Sequence, residues 1–173
     1  MAEQLLQYEE QRLDDRQREK FLTFLIGSEV YGIEVKYVRE IVGILAIKEI
    51  PELSDDIKGI ISLRGRIIPV MDARLRFKKP IRPYNDRTCI VVVEFRERSV
   101  GLIVDSVAEV LSIAEREIAP PPDIVTSPGQ RYIKGIGKVG IEVQMLLDCD
   151  RLLQYEEIGA TARIGTVNGG LDR

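Results

Sequence analysis

The sequence predicts a mainly β protein built from two similar small β units in tandem. The four residues IKGI occur at positions 57–60 and again at 133–136. At a slightly shorter offset, residues 30–42 align with residues 99–111. The matches keep one order along the chain, as in an internal duplication. Short apolar runs around tight turns, with no long amphipathic helix between them, favour small sheets or barrels in each half.

In the first half, a charged arm precedes two predicted hairpins. Residues 1–20 carry scattered leucines among charges and predict a short, marginal helix or a frayed arm. The runs FLTFLI and VYGIEV around residues 27–29 predict the first hairpin. The second turns at residues 63–66, where glycine supplies the backbone conformation of the turn. Pro69 lacks an amide hydrogen and suggests an edge position for the strand that follows this turn.

The second half repeats this plan after a polar loop at residues 78–87. The runs TCIVVVEF and SVGLIVDSV predict a hairpin, APPPD a stiff extended connector, and RYIKGIGKVGIEVQMLL the closing strands. We place the two units at about 21–87 and about 88–155. Residues 156–173 are predicted to form a flexible, glycine-rich tail. In the two IKGI copies, Ile60 and Ile136 are expected to be buried.

Composition restricts the possible functions. Of the 173 residues, 45% are apolar and 31% are charged, which is typical of a soluble globular protein. The chain has no histidine, which excludes Ser-His-Asp catalysis, Cys-His catalysis and histidine-ligated zinc. Two cysteines without a Cys-x-x-Cys motif give no disulfide framework, so we expect a reducing, cytoplasmic setting. No apolar run approaches the ~18 residues of a membrane span, and no membrane insertion is expected.

One alternative is a nucleotide-binding enzyme. GIGKVG at residues 135–140 formally fits Gly-x-Gly-x-x-Gly, but that pattern requires a following helix and further strand–helix units. The next segment alternates like a strand. Asp105, Asp148 and Asp150 supply carboxylates without an adjacent base or a metal-ligand cluster. We therefore expect no catalytic residue, no cofactor and no metal, and look for function in binding surfaces.

A second alternative is a nucleic-acid-binding β-barrel. Between residues 64 and 87, eight basic residues stand against Asp72 and Asp86. Such a basic sector suits an acidic partner or nucleic acid. The sector offers only Phe77 and Tyr84 for base stacking, and the whole chain is acidic. We therefore expect no nucleic-acid partner.

Several motifs, in order, resemble the CheW family of bacterial chemotaxis coupling proteins. They are FLIGSEVYGIEVKYVREI, IKGIISLRGRIIPVMDAR, GLIVDSVAEVL and a terminal YIKGIG followed by LLDCDRLL. The most specific are the Leu-Arg-Gly turn with its following Pro-Val-Met-Asp, and the Val-Asp-x-Val motif at residues 104–107. The resemblance covers about residues 21–155. It implies two tandem SH3-like five-stranded β-barrels with short helices, side by side across a hydrophobic seam.

The resemblance also implies a non-catalytic adaptor. Such proteins couple transmembrane chemoreceptors to a histidine autokinase, with a receptor hairpin tip in the groove between the barrels. Their partners are the kinase's regulatory domain and the cytoplasmic tips of receptors, and they join membrane-associated receptor arrays.

The resemblance carries over to six positions. Arg64 and Val110 match receptor-binding positions. Val38 and Glu40 match a stretch that binds receptor or kinase. Asp123 and Ile124 match a lateral contact within the array. On the sequence alone, Val38 and Val110 fit equally well as core residues.

Overall fold

The computed structural model describes residues 1–16, 18–51, 56–121 and 131–153. These residues form eleven β-strands and three α-helices, with 3-10 turns at Val35–Tyr37 and Glu115–Glu117. The helices are α1 (Ala2–Arg16), α2 (Ala73–Arg76) and α3 (Cys149–Leu152). The strands are β1 (Arg18–Ile26), β2 (Glu29–Glu34), β3 (Val38–Gly43), β4 (Ile57–Leu63), β5 (Arg66–Asp72), β6 (Cys89–Phe95), β7 (Arg98–Val104), β8 (Ser106–Ala114), β9 (Ile118–Ala119), β10 (Ile133–Val139) and β11 (Glu142–Leu147).

The strands form two sheets with the same plan. The first sheet has the order β8-β1-β2-β11-β10-β9, and the second has the order β3-β6-β7-β5-β4. Apart from β9, each strand of the first sheet has a counterpart in the second. Each sheet joins two antiparallel hairpins through one parallel pair, β2 with β11 and β7 with β5. This equivalence confirms the internal duplication.

The two sheets do not follow the predicted boundary at about residue 87. The hairpin β1–β2 pairs with β8 and β11, whereas β6–β7 pairs with β3 and β5. The first hairpin of each half of the sequence therefore lies in one sheet with strands from the other half. A parallel pair requires a crossover connection. The chain makes each crossover by leaving one sheet after β2 or β7 and entering the other at β3 or β8.

Both IKGI copies form a strand with a bulge beside a closely packed neighbour. The register shifts between Ile57 and Gly59 and again between Ile133 and Gly135. A Cβ on Gly59 would lie 2.2 Å from the Lys48 carbonyl oxygen, and one on Gly135 would lie 2.6 Å from Ile118 Cγ2. The repeated glycine thus lets another segment approach each strand at the same place.

The buried apolar side chains of the described residues form three clusters. One lies within the second sheet and includes Ile61 and Ile90, and a smaller one lies within the first sheet. The largest, which we call the seam core, contains residues of both sheets, including the first isoleucine of each IKGI copy, Ile57 and Ile133. Ile60 and Ile136 are only partly buried, contrary to expectation, and Ile136 packs against the seam core rather than within it.

The edge position predicted from Pro69 is wrong, because β5 lies between β4 and β7. Proline is tolerated there because pairing with β7 begins only at Val70. In the predicted N-terminal arm, α1 extends to Arg16 and β1 begins at Arg18, and the described leucines of α1 are exposed. The predicted tail at 156–173 lies outside the described residues.

Asp105, in the Val-Asp-x-Val motif, lies between β7 and β8 and contacts both the β1–β2 turn and helix α2. Its carboxylate accepts hydrogen bonds from Arg74 Nε at 2.8 Å and from the Gly27 amide at 2.7 Å. Burial acts to raise the pKa of Asp105, but these hydrogen bonds outweigh it and the pKa is lowered. The carboxylate therefore stabilises the fold above the pKa of an unfolded aspartate, and this contribution is lost as pH falls through the folded-state pKa.

Replacing Asp105 with asparagine is expected to lower the free energy of unfolding by about 2 kcal/mol at pH 7, since a charged hydrogen-bond acceptor is lost. The difference from the parent should shrink as the pH falls below the ordinary pKa of an aspartate, ~3.9, because the unfolded parent then binds a proton that its folded carboxylate still resists. Urea unfolding at pH 7 and pH 3 measures both values. Asp150→Asn, at an exposed position, is the control. An equal difference at the two pH values would contradict this role for the carboxylate.

Candidate functional site

Arg64 lies at the tip of the β4–β5 hairpin. Leu63 pairs with Arg66, so the loop is only two residues long. Arg64 has φ 52° and Gly65 has φ 77°, the positive values of a tight hairpin turn. The Arg64 side chain is 76% exposed. The sequence predicted this turn and its exposure, but not the left-handed backbone of the arginine itself.

The structure brings Arg64 together with Glu40, another predicted site residue. Arg64 Nε donates to Glu40 Oε2 at 2.9 Å and to Oε1 at 3.3 Å. Glu40 lies on β3, and β3 and β4 are the outer strands of the second sheet, so this contact links the sheet's two edges. An exposed ion pair contributes only ~0–1 kcal/mol to stability. The pair engages the Nε edge of the guanidinium, whose terminal amino groups have no partner among the described residues.

Val38 and Val110 differ in burial. Val38 is half-buried and packs against the seam core, so its core interpretation is largely correct. Val110, on the outer strand β8, is 54% exposed. A counterpart that sequence reasoning missed is Ile41 on β3, which is 43% exposed. The alignment of 30–42 with 99–111 places Ile41 on Val110, so the internal repeat is the sequence signal that points to Ile41.

The second predicted hairpin of each half leaves a further exposed apolar residue. Ile67 on β5 is 66% exposed, and Val143 on β11 is 52% exposed. The segment after β3 adds Ile44 and Leu45, each more than one-third exposed. The β4–β5 hairpin that presents Arg64 therefore also carries an exposed aliphatic side chain, Ile67. Asp123 and Ile124 lie outside the described residues.

The basic sector at 64–87 is not a continuous cationic surface. Four of its eight basic residues form close ion pairs with acidic groups: Arg64 with Glu40, Arg74 with Asp105, Arg76 with Asp56 and Lys79 with Glu29. Arg76 is buried, and it also donates to the Leu152 carbonyl oxygen at 2.7 Å. Because the charges are dispersed and half of them are closely paired, the nucleic-acid alternative gains no support.

The GIGKVG stretch also gives no support to a nucleotide site. It occupies β10 and the turn into β11, two antiparallel strands. A dinucleotide site requires a glycine-rich loop that opens a helix. Among the described residues, no group of three or more cysteine or acidic side chains is placed to hold a metal ion. The same part of the chain contains no helix long and apolar enough to cross a membrane.

Comparison with known proteins decides the family. The family model of the CheW-like domain matches residues 20–157. The chain belongs to the CheW family. This family places it among the coupling adaptors of bacterial chemotaxis.

Curated relatives and a solved structure agree with this assignment. The chain is 36% identical to the chemotaxis protein CheW of Klebsiella aerogenes over 140 residues, which cover 81% of this chain and 84% of the relative. It is 30% identical to the chemotaxis protein CheW of Bacillus subtilis, covering 80% of this chain and 88% of the relative.

The crystal structure of the scaffolding protein TtCheW from Thermoanaerobacter tengcongensis is similar, with a TM-score of 0.75 and 35% identity. The match covers 81% of this chain and 95% of that one. The expected CheW-like fold, mainly β with two SH3-like barrels, is therefore confirmed.

Proposed function

We propose that this CheW-family chain is a non-catalytic adaptor that joins the cytoplasmic hairpin tips of transmembrane chemoreceptors to the regulatory domain of a histidine autokinase. It acts in the cytoplasm, at membrane-associated receptor arrays. The family assignment supports the coupling role, and the histidine-free sequence supports a role in binding. Asp123 and Ile124 are proposed, from the family resemblance, to make the lateral contact in the array.

The observation that best supports receptor binding is the geometry of Arg64. Its guanidinium projects from a short, defined turn and is held from one side by Glu40. The free amino groups form a planar fork that can hold a carboxylate or two backbone carbonyls of a receptor helix. Exposed aliphatic residues on the outer strands, above all Val110, supply apolar contact for such a helix. Val38 is proposed to support this surface from beneath.

Replacing Val110 with lysine is expected to weaken binding of a receptor hairpin fragment about tenfold, which is ~1.4 kcal/mol. The reason is that an ammonium group would have to be desolvated in an apolar contact. Titration calorimetry with the purified fragment measures the affinity. Affinity for the kinase regulatory domain, measured in the same way, should change less.

Val143→Lys is the matched control, because Val143 is a similarly exposed valine in the same sheet. It should fold normally and bind the receptor fragment like the parent. If both lysine variants bind like the parent, Val110 is not at the receptor contact. If the parent binds neither fragment, the adaptor function itself is wrong.

A further inference from the structure

A polar pocket of about 200 Å³ lies apart from the Arg64–Glu40 pair. Its walls come from the β1–β2 turn, the start of α2, the loop at 82–88 and the junction of β7 and β8. Residues of both sheets therefore line it. The loop belongs to the basic sector at 64–87, and the adaptor function assigns these basic residues no role.

The carboxylates that line the pocket are already engaged by internal donors. Asp105 is held by Arg74 and by the Gly27 amide. Asp72 accepts from the Arg74 amide at 2.8 Å and from the Tyr84 hydroxyl at 2.7 Å. Both groups are thus bound within the wall and leave little acceptor capacity for a ligand.

Two arginines at the pocket are much less engaged. Arg82 is 57% exposed, and its nearest acidic atom is Asp105 Oδ2 at 3.7 Å. The guanidinium of Arg87 has no hydrogen-bond or ion-pair partner among the described residues. With Arg74, these give three positive charges against the two aspartates. The pocket therefore has a net positive charge with unused donors.

The neutral polar groups of the wall add to this excess of donors. The Thr88 hydroxyl accepts from the Asn85 amide at 2.9 Å, which leaves its own hydrogen available. The side-chain oxygen of Asn85 accepts from the Arg87 amide, and its NH₂ group has no partner within the described part of the chain. The Ser106 hydroxyl is likewise uncommitted there. A ligand that suits such a wall accepts hydrogen bonds and carries negative charge.

We propose that this pocket binds a small tetrahedral oxyanion of the phosphate class, with Arg82 and Arg87 as its charged donors. Arginine pairs with phosphate through two parallel hydrogen bonds, which suits the free guanidinium of Arg87. The volume is below the ~300–1,000 Å³ of sites for drug-sized ligands, which favours a small anion over a nucleotide. The site is independent of the adaptor function, and its ligand would join the two sheets where Asp105 already joins them.

The test uses inorganic phosphate as the probe and the full-length protein. Amide resonances are followed by NMR during titration with phosphate, against sodium chloride of equal ionic strength. Phosphate-specific shifts are expected at Gly27, Asn85, Arg87 and Ser106, with saturation. Arg87→Gln should weaken the fitted affinity about tenfold, since a charged hydrogen bond is lost. Its circular dichroism melt should match that of the parent.

Lys138→Gln is the matched control, because it removes one positive charge from an exposed position away from the pocket. It should bind phosphate like the parent. The proposal is overturned if phosphate and chloride produce the same shifts, if the phosphate-specific shifts lie away from the pocket, or if Arg87→Gln and Lys138→Gln reduce the affinity equally.

Discussion

Replacing Ile133 with aspartate is expected to unfold the protein. Ile133 is 5% exposed and lies in the seam core, where residues of both sheets meet. A carboxylate there would be buried without a partner, and such substitutions belong to the most destabilising class, at more than about 4 kcal/mol. This is comparable to the ~5–15 kcal/mol by which a domain is stable. Ile57→Asp, at the equivalent position of the other IKGI copy, should behave in the same way.

The matched control is Ile141→Asp, in the turn that follows β10. Ile141 is fully exposed, so the same substitution should leave the melting temperature nearly unchanged. Circular dichroism melts of the three variants and the parent make the comparison. A cooperative melt of Ile133→Asp close to that of the parent would show that the sheets do not depend on the seam core.

Replacing Arg64 with glutamate is expected to abolish receptor-dependent kinase activation while leaving the protein folded. The side chain is 76% exposed, so its reversal costs little stability, although it places a second carboxylate beside Glu40. Reversing one member of a charged contact that is desolvated in the complex should cost about 2–5 kcal/mol of receptor affinity. Affinity for the kinase regulatory domain should change far less. Calorimetry with each purified fragment separates the two affinities.

Arg96→Glu provides a control of the same kind. Arg96 lies in the β6–β7 turn, its backbone has the same φ of 52° as Arg64, and its side chain is 71% exposed. The two variants have equal net charge, so a general electrostatic effect would lower receptor affinity in both. A specific contact at Arg64 lowers it only in Arg64→Glu.

The sequence predicted the hairpins and the duplication, because both depend on local pattern. It did not predict which hairpins share a sheet. That choice depends on the pairing of β2 with β11 and of β7 with β5, between strands far apart in the chain, and such pairing has no local sequence signature. The IKGI repeat is visible in the sequence, but its structural basis is the close approach of Lys48 to Gly59 and of Ile118 to Gly135, which a sequence does not reveal.

The site was predicted as separate positions, without their arrangement. The exposure of Arg64 is predictable from the sequence, because residues at the tip of a two-residue hairpin loop extend beyond the paired strands. Its contact with Glu40 joins the outer strands of the sheet, so it depends on how the barrel closes. Val38 remained ambiguous because alternation along a short strand does not distinguish half-buried from exposed residues.

The coupling role is tested most directly by mixing a receptor signalling fragment that assembles on vesicles with the purified kinase, with and without this protein. We expect the kinase to sediment with the receptor vesicles, and its autophosphorylation to rise, only when the protein is present. The effect should be lost with Arg64→Glu and kept with Arg96→Glu. Sedimentation and activity that are the same with and without the protein would contradict the adaptor function.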